Sequence, residues 1–272
     1  MIKTSLKFTD YNTSTDRIDN SVALVCFHGI DWRTGDRVKS YNVVYLIKTI
    51  ASLLLHVDEV LVYVCEDGFD FLTSMFDRVT VKKINVPEET DISDGTKKSV
   101  RPVGKYCLLN KDWESYDFVF FTESDHVVYS NKLRYLTRKI GDNQFLSSHR
   151  LEQDYLSLNS HGQPKVVFDE KKYILYNDYE GEFSEYDHDL VVADTYRSSY
   201  SAAWIARSSS LKTIDFNRFN EKSLHSHSLA IFDGLQCVKT KFRLDFFVDH
   251  LSGFDNALRN GGLDVANFPG RW

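Results

Sequence analysis

The stretch "YDFVFFTESDHVVYSN", residues 116–131, decides how the fold of this chain is interpreted. Residues 118–122 are all apolar or β-branched, which is typical of a strand that is buried on both faces of a sheet. The run then meets the polar sequence "ESDH" (123–126) before the chain turns apolar again. A buried strand that ends in two acids and a histidine predicts either a metal site at the edge of a sheet or a solvated turn.

The composition predicts an ordered globular protein. The chain has 272 residues, of which 42% are hydrophobic, and no low-complexity run interrupts them. The formal net charge of −6 argues against a general surface for nucleic acid or anionic membrane, which would need an excess of lysine and arginine. The N-terminal stretch 1–16 contains no apolar signal-peptide core, and no run reaches the roughly 18–20 apolar residues of a membrane span. We therefore expect a cytoplasmic protein without a transmembrane segment.

The four cysteines favour buried, reduced thiols over disulfides or zinc ligands. They are Cys26, Cys65, Cys107 and Cys237, and no two of them form a CxxC pair. Three of them lie within apolar runs, where a thiol behaves as a small hydrophobic group. This usage also fits a cytosolic compartment.

Strand and helix patterns alternate along the first half of the chain. Strands are predicted at 21–29, 58–68, 79–86 and 116–125, and helices at 38–56, 69–77, 103–113 and 131–141. This alternation predicts an α/β fold with a Rossmann-like, mostly parallel central sheet flanked by helices. The second half looks mixed, with strand material at 165–194, a strand or loop that leads to a short helix at 200–214, a helix at 226–239 and a final strand at 242–253.

The predicted parallel sheet places chemistry at one edge. Ligands of such sheets bind beyond the carboxyl ends of the strands. The segments that follow the four predicted strands are 27–33, 65–68, 87–102 and 122–127. We expect them to line one crevice.

Carboxylate and imidazole side chains near the ends of apolar runs predict a site for a divalent cation. Glu123 and Asp125 end a buried strand, and carboxylates are the ligands that Mg²⁺ and Mn²⁺ prefer. His250, in "FFVDHLSG" (246–253), ends a late apolar run and could add a nitrogen ligand, with Asp249 as the neighbouring alternative. The opposing interpretations are a solvated acidic turn and a histidine hydrogen-bonded within the core.

A second pattern predicts an anion site. In "RPVGKYCLLN" (101–110), Arg101 and Lys105 straddle the start of a predicted helix, and Asn110 follows. Helix N-termini and basic side chains together favour a diphosphate. An exposed helix with ordinary charges is the alternative.

These patterns together resemble the GT-A class of nucleotide-sugar-dependent glycosyltransferases. That class has a Gly-Lys/Arg-x-x-x-x-Asn-like helix, then an apolar strand that ends in an Asp-x-Asp metal motif, and a later histidine. The matching residues are Gly104, Lys105 and Asn110, then "FVFFTESD" (118–125), then His250. Glu123 stands where the family pattern usually has Asp.

The resemblance implies a single GT-A-like domain over 1–272, with a nucleotide-binding half at about 20–130 and an acceptor-binding half at about 131–272. It implies transfer of a sugar from a nucleoside-diphosphate sugar, a UDP-sugar being favoured, to a hydroxyl of a glycan or glycoconjugate. Mn²⁺ or Mg²⁺ would be bound by Glu123, Asp125 and His250. The residues expected to bind the nucleotide are Phe27, His28, Gly29, Arg33, Glu66, Asp67, Arg101, Lys105, Asn110 and Ser124.

An inverting transfer also needs a base to take the proton of the acceptor hydroxyl. The candidates are Asp233, then Glu221, then Asp194, each of which could equally be an ordinary surface acid. If none of them serves, the transfer is retaining, and the sequence leaves this open.

Two other functions compete with glycosyl transfer. A sugar nucleotidyltransferase would need a glycine-rich, basic loop after the first strand, and "FHGIDWRTGDR" (27–37) fits this requirement poorly. A non-catalytic nucleotide- or sugar-binding protein of the same fold is the third possibility. The acidic strand end and the late histidine favour an enzyme.

Overall fold

The computed structural model describes residues 16–27, 40–87, 89–91, 98–158, 164–168, 189–193, 203–218, 226–241 and 245–251. The strands are Ser21–Cys26 (β1), Glu59–Val64 (β2), Val79–Lys83 (β3), Glu89–Asp91 (β4), Lys98–Val100 (β5), Phe118–Glu123 (β6), His126–Ser130 (β7), Gln144–Ser147 (β8), His149–Leu158 (β9), Pro164–Phe168 (β10), Leu190–Val192 (β11), Ala203–Arg207 (β12), Gln236–Thr240 (β13) and Phe246–His250 (β14). The helices are Ser40–Leu53 (α1), Phe71–Met75 (α2), Val103–Leu109 (α3), Leu133–Thr137 (α4), Ser208–Leu211 (α5) and Ser226–Gly234 (α6).

The central sheet has eight strands in the order β11-β13-β8-β12-β6-β1-β2-β3. β1 runs parallel to β2 and β6, β2 runs parallel to β3, and β8 runs parallel to β13. β12 is antiparallel to both β6 and β8, and β11 is antiparallel to β13. The predicted α/β class is confirmed: a parallel first half is extended by a mixed second half, and strands from both halves share one sheet.

A second sheet of four strands has the order β10-β9-β14-β7. β14 is antiparallel to β7 and parallel to β9. β7 lies at one edge of the small sheet, and two residues separate it from the end of the central strand β6. A short antiparallel pair, β4 with β5, lies in the segment 87–102 that follows the third predicted strand.

Both faces of the central sheet are covered, as continuous apolar strands require. On one face Val25 and Phe120 pack with α1, α2, α4 and the small sheet, whereas Leu24 and Phe121 on the other face pack with α3, α5 and α6. The four cysteines are free thiols, and all except the half-buried Cys65 are buried. Within the described ranges, no helix has the length and apolar character needed to cross a membrane.

The structure corrects the predicted helix at 226–239. The helix ends at Gly234, which packs so closely against Ile214 that a side chain there would collide with it. Residues 236–240 instead form β13 between β8 and β11, because pairing inside the sheet outweighs local helical preference. Strands β8 and β9 are absent from the sequence prediction altogether.

Candidate functional site

The carboxyl ends of the parallel strands meet at one edge of the central sheet, as predicted. Cys26, the last residue of β1, lies opposite Glu123 at the end of β6 and opposite Tyr63 near the end of β2. β3 continues this parallel set on the far side of β2. We call this the carboxyl edge, and the opposite one, where these strands begin, the amino edge.

Asp125 lies in the turn that carries the chain from the central sheet to the small sheet. Only Ser124 and Asp125 separate the end of β6 from the start of β7. The Ser124 carbonyl accepts a hydrogen bond from Thr49 Oγ1 of α1 at 3.0 Å, and the Asp125 carbonyl accepts one from the Leu251 amide at 2.8 Å. A helix and the end of β14 thus fix a turn that the sequence alone could not distinguish from a solvated one.

Two histidines join Asp125 in a compact cluster. His126 and His250 are directly opposed in the antiparallel pair of β7 with β14, so their side chains share one face. Their rings stack with centroids 4.9 Å apart and an interplanar angle of 18°. Asp125 contacts both, with Oδ1 3.1 Å from His126 Nδ1 and Oδ2 3.2 Å from His250 Nε2. One donor atom from each residue lies within 4.8 Å of the others, which one metal ion could bridge.

The electrostatics of the cluster keep the Asp125 carboxylate charged. Burial alone would raise the pKa of Asp125, but His126 and His250 hold that pKa well below its ordinary value, so the carboxylate is charged. His126 is fully buried, and neither of its ring nitrogens makes a well-aligned hydrogen bond to a described residue. Since an unsatisfied buried polar group is costly, a metal ligand role would explain it.

The donor set also fits a metal ion. One carboxylate with two imidazoles suits a transition metal such as Mn²⁺ or Fe²⁺, whereas Mg²⁺ prefers oxygen ligands and retained water. We call Asp125, His126 and His250 the metal cluster.

Arg150 lies directly beside the metal cluster. It stands near the start of β9 and is 8% exposed. Its Nη2 is 2.6 Å from His250 Nδ1 and 3.4 Å from His250 Nε2. A permanent cation is therefore buried next to one of the candidate ligands.

The predicted metal site is partly assembled. Asp125 and His250 meet, but Glu123 does not belong to the cluster of donors. Strand alternation puts Glu123 on the face of Phe121, which packs toward α3, whereas the small sheet lies on the opposite face of the central sheet. Asp249, the alternative to His250, is also outside the cluster. His126, which belongs to the stretch that suggested a metal site but was not among the predicted ligands, takes the third position.

Of the three residues predicted to form the anion site, only Arg101 is placed near the carboxyl edge, by its interaction with Cys65. Arg101 lies close enough to Cys65, which follows β2, to oppose the rise in the thiol pKa that burial causes. Lys105 is only 3% exposed, with Nζ 5.7 Å from the ring centroid of Tyr106. Asn110 is exposed at the C-terminal end of α3, about 7.5 Å along the helix axis from Lys105. The structure does not bring Lys105 and Asn110 together.

The remaining predicted nucleotide contacts are spread along the carboxyl edge. Phe27 is buried against Phe69, with ring centroids 4.9 Å apart, which is a packing role. Glu66 is half-buried after β2, and the exposed Asp67 pairs with Lys83 at 2.6 Å. His28, Gly29 and Arg33 lie outside the described residues.

Asp233, the first candidate for a catalytic base, lies at the wrong edge for this role. It precedes β13, whose first residue pairs with the first residue of β8 at the amino edge. The β8–β12–β6 register confirms this placement, because Arg207 at the end of β12 lies opposite Phe118 at the start of β6. Asp233 is exposed there and pairs with Arg218. The other two candidates, Glu221 and Asp194, lie outside the described residues.

Comparisons with known proteins give structural likeness only. No family model and no curated protein matches the sequence. A mannose-1-phosphate geranyltransferase from Thermus thermophilus is 12% identical, with a TM-score of 0.48 over 90% of this chain and 80% of that one. An inositol-1-phosphate CTP transferase from T. maritima is 10% identical, with a TM-score of 0.41 over 85% and 88%.

A third solved structure, a 4-diphosphocytidyl-2C-methyl-D-erythritol synthase from Anaerococcus prevotii, is 9% identical, with a TM-score of 0.39 over 85% of this chain and 90% of that one. None of these TM-scores reaches 0.5, so they assign no activity to this chain.

Proposed function

We propose that this chain is a transferase that acts at the phosphate linkage of a nucleotide sugar, and that the metal cluster holds the divalent cation the reaction uses. The observation that carries the proposal is the convergence of Asp125, His126 and His250 within 4.8 Å, in the turn that follows a central parallel strand. That turn lies at the edge where such sheets bind their ligands. A bound cation would neutralise negative charge on the departing phosphate.

Transfer of the sugar to an acceptor hydroxyl is the reaction that the resemblance to GT-A glycosyltransferases favours. The acidic turn and the late histidine of that pattern meet here, through Asp125 and His250 at 3.2 Å. Arg101 would add positive charge for the diphosphate at the carboxyl edge. A UDP-sugar is the first donor to test, with a glycan or glycoconjugate as acceptor.

A different reaction, in which a sugar phosphate displaces pyrophosphate from a nucleoside triphosphate to form a nucleotide sugar, is the second candidate. The inositol-1-phosphate CTP transferase among the similar solved structures is named for this kind of nucleotidyl transfer. The products separate the two reactions, because sugar transfer releases a nucleoside diphosphate and nucleotidyl transfer releases pyrophosphate.

The test is product release by the full chain with Mn²⁺. One arm supplies a panel of nucleotide sugars, with and without sugar acceptors, and the other supplies nucleoside triphosphates with sugar 1-phosphates. We expect a chelator to stop the reaction, and Asp125→Asn or His126→Gln to slow it at least ~100-fold, because loss of a ligand removes several kcal/mol of charge stabilisation.

A matched control exists at the amino edge. His56 is also a buried histidine near an aspartate, with Nδ1 3.6 Å from Asp16 Oδ2. His56→Gln should retain the metal-dependent rate if the folded protein is recovered. Turnover that is unchanged in Asp125→Asn would refute the proposal. Ligand binding without turnover in either arm would identify a non-catalytic binding protein.

A further inference from the structure

Arg150 contacts His250, one of the three residues of the metal cluster. It lies opposite Val248 in the parallel pair of β9 with β14, two residues before His250. This register brings its guanidinium to 2.6 Å from His250 Nδ1. Both side chains are more than nine-tenths buried, so the contact is shielded from water.

The direction of this hydrogen bond limits what His250 can do. A guanidinium only donates, so Nδ1 of His250 must be the acceptor. A neutral imidazole that accepts at Nδ1 carries its hydrogen on Nε2, and this nitrogen faces Asp125 Oδ2 at 3.2 Å. His250 is therefore held in the form whose Nε2 cannot bind a metal while Arg150 keeps its contact.

The charges around His250 also disfavour binding of a bare divalent cation. Arg150 and Asp125 contact opposite nitrogens of His250 and carry opposite charges, so a bare divalent cation would add its positive charge beside a buried guanidinium. A diphosphate would offset that charge, and its oxygens are better acceptors for a guanidinium than an imidazole nitrogen is.

We propose that Arg150 keeps the metal cluster closed to a bare divalent cation, so that the cation binds together with the diphosphate of the nucleotide. The diphosphate would draw the guanidinium away from His250 and free this histidine to ligate. This inference rests on the proposed function and adds to it a rule for substrate binding, with Arg150 as a positioning residue.

The test measures binding and does not depend on turnover. Mn²⁺ is titrated calorimetrically into the full chain alone, and then in the presence of uridine, guanosine or cytidine diphosphate. In Arg150→Gln we expect bare Mn²⁺ to bind at least ~10-fold tighter than in the wild type, and the gain from the diphosphate to shrink accordingly. Arg150→Lys keeps the charge, so its affinity for bare Mn²⁺ should stay weak.

Arg207→Gln is the matched control. It removes one guanidinium at the amino edge, about 16–20 Å away along the strands, and should leave Mn²⁺ binding unchanged. Melting curves confirm that each variant is folded. Bare Mn²⁺ that binds the wild type as tightly as Arg150→Gln would overturn the inference and leave the proposed function standing. Absence of Mn²⁺ binding under every condition, or binding that survives Asp125→Asn, would overturn both.

Discussion

Lys239 should make the stability of this protein rise with pH above neutrality. This residue lies near the carboxyl end of β13, is 2% exposed, and has its pKa lowered from 10.5 to about 7 by burial. Burial disfavours the charged ammonium, so the folded protein holds a neutral amine at a pH where the unfolded chain is still protonated.

Proton linkage gives the direction and the size of this change in the free energy of unfolding. Between about pH 7 and 10.5 the unfolded chain binds one more proton at this position than the folded chain does. The free energy of unfolding should therefore rise by up to ~1.4 kcal/mol per pH unit in this window. Over the whole window the gain is roughly 5 kcal/mol, and below about pH 7 this residue should contribute no slope.

The assay is urea denaturation of the wild type and of Lys239→Met at about pH 7 and about pH 8. Methionine keeps most of the volume of the side chain and removes the titrating group. The result to compare is the difference in the free energy of unfolding between the two proteins. This difference cancels the contribution of buried thiols such as Cys107, whose raised pKa makes stability fall with pH at alkaline pH.

We expect Lys239→Met to be the more stable protein at pH 7, and the wild type to gain about 1 kcal/mol on it by pH 8. Lys111→Met, at a lysine whose side chain is 64% exposed, controls for the loss of a positive charge and should match the wild-type slope. Parallel pH profiles for the wild type and Lys239→Met would refute the reasoning.

Three further substitutions test how the fold is held together. Arg78 donates three hydrogen bonds of 2.7–3.1 Å to backbone carbonyls at and just beyond the end of α1, so Arg78→Gln should cost roughly 3 kcal/mol in urea unfolding, with Arg78→Lys intermediate. An Arg78→Gln protein within about 0.5 kcal/mol of the wild type would contradict this. Ser52 Oγ accepts from the buried Val128 amide at 3.0 Å, so Ser52→Ala should cost about 1–3 kcal/mol, and faster hydrogen exchange at that amide is the sharper readout. Phe120→Ala, at 1% exposure in the core, should cost about 3–5 kcal/mol, and a smaller loss would mean that neighbouring side chains refill the cavity.

The parallel half of the fold could be predicted because its signals are local. Strands β1, β2, β3 and β6 are short apolar runs separated by amphipathic segments, and the sequence places each within a few residues of its observed bounds. β13 could not be found in this way. It follows a helix after a single residue, and its strand character comes from neighbours that are about 50 to 90 positions away along the chain.

The candidate site also combines residues with a local sequence signal and residues placed only by the tertiary fold. Asp125 and His250 are visible because each ends an apolar run, whereas His126 begins one and was not interpreted as a ligand. A weak signal exists, because "HVVYS" (126–130) and "FFVDH" (246–250) each place a histidine at one end of a strand. Their antiparallel pairing, which puts the two histidines opposite each other, is a tertiary fact. The position of Asp233 at the amino edge is also set by tertiary pairing, because the antiparallel strand β12 fixes the direction of the strands beside it.

The position of Asp125 explains how the candidate metal ligands are held in place. A polar turn between two strands of one sheet is ordinarily free to move, but this turn joins two sheets, and both its carbonyls are bonded to other elements. His126 and His250 form the last residue pair of the ladder between β7 and β14, so strand pairing fixes both histidines beside this turn. Backbone hydrogen bonds thus hold residues 125, 126 and 250 in place without using their side chains. A catalytic centre needs such support, because its ligands must be held to within a fraction of an ångström.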